Sequence, residues 1–325
     1  MFRTWLSILL WFSATSFFHG YAMIIGIYFI VTLVSPASSV LVFSLLLAVY
    51  LAHVFFSRAE HTGRSTWPKF IRSFVTKAAI EYFGATTVGE EALESIKGER
   101  CLFGLHPHGI YPMAGILTYA GSSPLLAKHS WLRVRPCAAS ILFKIPFIRE
   151  YLIWTGHLDA GRRTLSKHMS KGVDDIGLVL GGEKEALATR NGREAIVLLG
   201  RTGFVEMACR YGYHLVPTYA FGQNEIFTVN TTLFAGVRAA MQRSLKISIP
   251  IFWGRGGGPM PHRVKLLLAI GNPIKVPKPS KVDKPSPEIV ERLHGEYVRE
   301  MRLLFERHKD AAGYPDRTLE VLAAR

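Results

Sequence analysis

The residues best suited to chemistry lie together in Gly104-Leu105-His106-Pro107-His108-Gly109. They follow Cys101-Leu102-Phe103-Gly104-Leu105, an apolar run that reads as a buried strand. In α/β sheets ligands gather beyond the carboxyl ends of the strands. Two histidines one residue apart point to the same side of extended chain. Pro107 stiffens the turn, and Gly109 admits close approach of a substrate. An imidazole titrating near neutrality can take a proton from a hydroxyl, so general-base catalysis is the first expectation. A metal site is the rival reading. It needs a third ligand, and no His or Cys stands nearby at compact metal spacing, so no metal is expected.

Other chemistries find less support. There is no Gly-x-Ser-x-Gly elbow and no Walker phosphate loop. Gly254-Arg255-Gly256-Gly257-Gly258 lacks the spacing of a dinucleotide fingerprint. Cys101, Cys137 and Cys209 are scattered, which suits a reducing compartment and excludes a disulfide framework.

The elements that must hold the histidines alternate. Further strands are expected over residues 176–180, 195–199, 214–219 and 264–270. Phe204, Met207, Ala208 and Tyr211 have helical spacing, closed by Gly212, and Phe204 reads as core. A last helix is announced by Ser286 as cap, Pro287 at the first position and Glu288 in the first turn. Its apolar stripe is Ile289, Leu293, Tyr297, Met301, Leu304 and Phe305. Residues 275–287 read as an exposed linker. The pattern predicts an α/β domain with a mostly parallel central sheet.

Composition adds a membrane. The 325 residues carry a net charge of +15 at a mean hydropathy of +0.20. Residues 4–57 contain no Asp, Glu, Lys or Arg, a run of 54. As one helix they would far exceed the ~30 Å hydrocarbon core, so they must fold back. Ser35-Pro36-Ala37-Ser38-Ser39 is the breaker, giving one helix within residues 5–34 and another within 40–56. Arg3 precedes this hairpin, and Arg58, Arg64, Lys69, Arg72 and Lys77 follow it, so both termini are expected on the cytosolic side. Two alternatives stay open, a signal peptide and a shallow wedge in one leaflet. The chain divides into a membrane hairpin, 1–57, and a cytosolic-facing domain, 58–325.

That domain carries the charge. Residues 128–171 hold nine Lys or Arg against two acids, and residues 226–282 hold nine and no acid. Anionic headgroups or a polyphosphate ligand would suit either stretch. No nucleic-acid motif is present, and nucleic acid is not an expected partner.

These residues resemble the type-2 diacylglycerol acyltransferase family, which also contains monoacylglycerol and wax-alcohol acyltransferases. The tetrad His106-Pro107-His108-Gly109 resembles its signature. Gly181-Gly182-Glu183-Lys184-Glu185-Ala186-Leu187, Arg201-Thr202-Gly203-Phe204-Val205 and Val216-Pro217-Thr218-Tyr219 with Phe221-Gly222-Gln223-Asn224-Glu225 resemble its later blocks, in order. The resemblance runs from about residue 60 to the end. Two departures stand out. The Asp of the wider glycerolipid acyltransferases, five positions after a histidine, is absent, with Tyr111 and Met113 at the candidate positions. The short lipid-binding motif of animal members is not evident in the hairpin. Ile145-Pro146-Phe147 followed by residues 156–162 resembles the second motif of the wider superfamily, ending on Arg162.

The resemblance implies a glycerolipid-acyltransferase-like fold and transfer from acyl-CoA to diacylglycerol, with no cofactor beyond that co-substrate. His108 would be the base and His106 would orient or hydrogen-bond. Glu185 and Glu225 are candidates for steering an imidazole or binding glycerol. Arg162, Arg201, Gly203 and Asn224 join them as candidates for holding acyl-CoA or the acceptor. Arg201 and backbone N–H groups near Gly109 are candidate oxyanion donors. The implied location is the cytosolic face of the endoplasmic reticulum membrane, with the lipid droplet surface as a second site. The implied partners are the two substrates and membrane lipids; a homo-oligomer stays open. The runner-up acceptors are 2-monoacylglycerol and a long-chain alcohol. Different classes are a membrane-bound metal hydrolase using the paired histidines and a non-catalytic lipid-binding or scaffold protein.

Overall fold

The computed structural model describes residues 19–119, 123–233, 236, 250–277 and 285–324. The apolar N-terminal region forms α1 (His19–Val34) and α2 (Ala37–Phe56). The break is confined to Ser35 and Pro36, so α2 begins three residues before the expected start. Pro36 cannot extend α1, but as N-cap it is compatible with a new helix at once. The expected part of the first helix before residue 19 lies outside the described residues. Among the described residues one helical segment, Ala37–His61, is long and apolar enough to cross a membrane. Most of its apolar side chains are exposed.

α2 is also docked. The Tyr50 hydroxyl donates to Glu150 Oε2 at 2.8 Å and accepts the Phe147 N–H at 3.1 Å. Lys144 Nζ donates to the Phe55 carbonyl at 3.2 Å.

The strands are β1 (Thr86–Val88), β2 (Cys101–His106), β3 (Val134–Ala138), β4 (Leu158–Asp159), β5 (Asp175–Val179), β6 (Glu194–Leu199), β7 (His214–Phe221), β8 (Thr228–Asn230), β9 (Ile251–Trp253), β10 (Leu267–Ile270) and β11 (Leu319–Ala323). Seven of them form one sheet in the order β1-β10-β7-β2-β5-β3-β4. Only β10 against β7 is antiparallel; the other five pairings are parallel. β6 does not join this sheet, despite a sequence as apolar as that of β5. It pairs in parallel with β11. β10 starts at Leu267 rather than 264, because the preceding chain turns away to bond elsewhere, His262 N–H donating to the Ile226 carbonyl.

Helices cover both faces. α3 (Phe74–Phe83), α4 (Met113–Tyr119) and α5 (Ile148–Trp154) pack on one. α6 (Arg162–Met169), α8 (Gly203–Tyr211) and α9 (Pro287–His308) pack on the other, with the short α7 (Gly182–Ala188) between β5 and β6. β2 is buried on both faces: Phe103 and Leu105 enter the first core, Leu102 the second. This explains why it reads as a continuous apolar run rather than an alternation.

Both helix ends read from the sequence hold. Gly212 closes α8 in the left-handed conformation, and the Ser286 side chain accepts the Ile289 N–H as the cap of α9. The stripe of α9 is buried as read from Leu293 to Phe305 and differs only at its first member. Val290, three residues before Leu293, is buried, while Ile289 lies at the edge and is 36% exposed.

Candidate active site

β2 ends on His106, and the chain then turns through Pro107, His108 and Gly109. The His106–Pro107 peptide is cis. His106 is completely buried, and its Nδ1 lies 2.9 Å from Glu185 Oε2. A carboxylate accepts only, so Nδ1 carries the hydrogen, and the other ring nitrogen, Nε2, points away from Glu185. That Nε2 has no partner among the described residues. Glu185, 1% exposed, also takes the Val197 N–H on Oε2 at 2.7 Å and the His108 N–H on Oε1 at 2.6 Å. One buried carboxylate therefore ties β2, the histidine turn and β6 together. A buried charge is tolerated only when hydrogen-bonded in this way.

The sequence pattern around Glu185 serves this placement. It sits in the first turn of α7, beyond the carboxyl end of β5, the parallel neighbour of β2. A side chain at Gly181 would collide with its carboxylate. The carboxylate that pairs with His106 is thus supplied from 79 residues away in the sequence.

His108 is half-buried and differs in its exposure from His106. Its Nδ1 lies 2.8 Å from the Gly109 carbonyl, so Nδ1 is again the donor and Nε2 the open lone pair. Burial pushes His108 below the usual imidazole range, against the opposing pull of the Gly109 carbonyl and the Glu185 carboxylate. The ring is thus held neutral at physiological pH.

Gly109 has φ +62°, and a Cβ there would lie 2.5 Å from Gln223 Nε2. Gln223 is a residue to which sequence reading gave no role. It is buried, its Nε2 donates to the Tyr111 carbonyl at 2.5 Å, and its Oε1 accepts the Ala114 N–H at 3.0 Å. It thereby fastens the turn to the start of α4. The available signal was its place just past the end of β7, which runs parallel to β2 and ends on the same edge of the sheet.

Asn224 and Glu225 occupy the same turn but face elsewhere. Asn224 Nδ2 donates to the Arg193 carbonyl and to Glu194 Oε2. Glu225 accepts the Gly192 N–H at 2.8 Å and pairs with Arg317 at 2.8 Å. Its carboxylate is engaged with the β6–β11 side of the molecule rather than with an imidazole. Of the two glutamates proposed from sequence to steer a histidine, the structure brings Glu185 to one.

Arg162, Arg201 and Gly203 come together in a cleft of about 400 Å³ past the end of β5. Leu180, Thr202 and Phe204 also line it. Arg162 opens α6, and its guanidinium reaches Glu206 at 3.4 Å. Among the described residues no group of three His, Cys, Asp or Glu side chains is placed to hold a metal ion.

With this geometry in view, comparison with known proteins decides the family. The chain matches the diacylglycerol acyltransferase family over residues 37–322. The protein belongs to that family. It is 32% identical over 276 residues to 2-acylglycerol O-acyltransferase 1 of Mus musculus, covering 80% of this chain and 79% of the relative. It is 28% identical to diacylglycerol O-acyltransferase 2 of Dictyostelium discoideum, covering 81% and 82%. It is 32% identical to diacylglycerol O-acyltransferase 2A of Umbelopsis ramanniana, covering 70% and 67%. A solved structure, the 1-acyl-sn-glycerophosphate acyltransferase of Thermotoga maritima, aligns with 80% of this chain and 89% of its own at 15% identity and a TM-score of 0.42. The protein is an acyltransferase of this family, and its α/β sheet with helices on both faces carries the histidine turn at one edge.

Proposed function

We propose that the protein transfers the acyl group of acyl-CoA to the free hydroxyl of diacylglycerol, releasing triacylglycerol and coenzyme A. The observation that carries this reading is the histidine turn itself: a neutral, half-exposed His108 whose backbone is fixed by a buried carboxylate. The acceptor oxygen attacks the thioester carbon while its proton passes to His108 Nε2. The tetrahedral intermediate collapses, the carbon–sulfur bond breaks, and the imidazolium returns the proton to the departing thiolate. Glu185 positions the turn, and its charge favours the imidazolium formed in between. Backbone N–H groups near Gly109 would serve as donors for the oxyanion. His106 acts as a positioning residue between Glu185 and the sheet. None of the three cysteines is an activated nucleophile: burial pushes each thiol up. Transfer is therefore direct, with no acyl-enzyme.

The chain divides at residue 57. The N-terminal segment holds residues 58–325 at the cytosolic face of the endoplasmic reticulum, where the apolar acceptor resides. 2-Monoacylglycerol is the second acceptor to consider, because a relative with nearly the same coverage bears that name. Microsomes carrying the protein, given labelled oleoyl-CoA with diacylglycerol, 2-monoacylglycerol and a long-chain alcohol in turn, test the assignment. Labelled triacylglycerol from diacylglycerol is expected. Acylation of 2-monoacylglycerol alone would move the assignment to the second acceptor, and no ester from any of them would overturn it.

A further inference from the structure

We infer that the cleft between α6 and α8 is the seat of the phosphate groups of the acyl donor, with Arg201 as its principal ligand. This rests on the acyl-CoA reading above. Three features of one place point to an anion. Arg201 Nε is buried and has no hydrogen-bond partner, and no carboxylate lies within ion-pair distance of its guanidinium among the described residues. A buried guanidinium nitrogen left unsatisfied in the resting protein is costly unless a ligand completes it. Second, Arg162 lines the same cleft. It is partly neutralised by Glu206 and largely exposed, so it is the weaker of the two. Third, α8 starts here: its cap residue Thr202 makes no side-chain cap bond, and Gly203 and Phe204 of its first turn line the cleft.

The class of anion is set by the substrates. Diacylglycerol is uncharged and has no use for two arginines and a helix N-terminus. Coenzyme A carries a diphosphate and a 3′-phosphate, and an arginine fork matches phosphate oxygens. The position is also suitable. A methyl group on Gly182 would touch Arg201 Nη1 at 4.0 Å, and Glu185, three residues further along α7, touches His106. The cleft therefore adjoins the histidine turn through α7. The Gly200 turn, with φ +78°, directs the chain from β6 into α8 and sets Arg201 at its mouth.

The test compares two donors on full-length protein in microsomes: oleoyl-CoA, and oleoyl-pantetheine, which has the same thioester and no phosphate diester or monoester. Arg201→Ala is expected to lower kcat/KM for oleoyl-CoA roughly 10- to 100-fold, mainly through KM, as for loss of a charged hydrogen-bond pair. For oleoyl-pantetheine the change is expected to stay within about twofold. Arg162→Ala should give a smaller loss of the same kind. Equal losses on both donors would place Arg201 at the reacting centre or in the fold and overturn the inference. A second measurement needs no variant: 3′,5′-adenosine diphosphate should compete with oleoyl-CoA for the wild-type protein, and failure to compete would overturn the inference too. If the wild-type protein used neither thioester, the acyl-CoA reading itself would fall, an outcome distinct from unequal use of the two.

Discussion

Replacing Glu185 by Gln changes one oxygen to an amide and removes one charge from the centre of the histidine turn. Oε2 receives two N–H groups, from His106 and Val197, and Oε1 receives one, from His108. The glutamine carbonyl can keep the first pair. Its NH₂ then meets the His108 N–H, a donor against a donor beside a side chain that is only 1% exposed. Leaving that buried group unsatisfied costs about 1–3 kcal/mol. The reversed orientation is worse, because two donors are then opposed instead of one. The protein should still fold, with thermal inactivation several degrees lower. Catalysis should suffer more than stability, because the turn carrying His108 loses its tether and the imidazolium loses its nearest negative charge. A fall in kcat of roughly 10- to 100-fold is expected, below the full value of a general base. KM for either substrate should change little. The assay is the initial rate of labelled triacylglycerol formation in microsomes, normalised to protein level. A kcat within about twofold of wild type in Glu185→Gln would refute the proposed tether.

The same structure sets two further outcomes. Because burial holds His108 below its ordinary value of 6.5, and the neutral ring is the active form, kcat/KM should rise with pH through an inflection below 6.5 and be level by pH 7; an inflection above 7 in the pH–rate profile would contradict the assignment. Arg317→Ala removes the partner of Glu194, which is 3% exposed and held at 2.6 Å, so thermal stability should drop by about 2–4 kcal/mol, somewhat under the fully buried figure because Arg317 is 22% exposed. Its effect on the ratio of acylated acceptors should be nil, since the Arg317 guanidinium pairs with Glu194 and Glu225 and not with a residue of the histidine turn.

Much of the scaffold was legible because its signals are local. A buried strand running into His106, the Gly212 stop and the Ser286-Pro287 start are each written within a few residues. Partnership is not local. β5 and β6 have similar apolar runs, yet one lies in the central sheet and the other pairs with β11 at the far end of the chain. The orienting carboxylate illustrates the same limit. Glu185 and Glu225 looked equivalent in sequence, since each lies in a polar block after a strand. Only the crossover of α7 beside β2 brings Glu185 to the imidazole, while Glu225 turns to Arg317. Gln223 stood in the same block as the candidates Asn224 and Glu225 and was given no role; that it fastens a turn depends on bonds to residues more than 100 positions away. The uncharged N-terminal run announced a long apolar helix, but the docking of Tyr50 onto Glu150, 100 residues away, required the fold.

The most direct test of the account is His108→Ala in the full-length protein, expressed beside wild type and assayed in microsomes with labelled oleoyl-CoA and diacylglycerol. The His108 ring bonds only the adjacent Gly109 carbonyl among the described residues, while its backbone is held by Glu185 and Gln223, so removing the ring should leave protein level and membrane association intact. The account predicts a fall in triacylglycerol formation of about 10²- to 10⁴-fold, the range for loss of a general base. Triacylglycerol formation at the wild-type rate in that variant would contradict it.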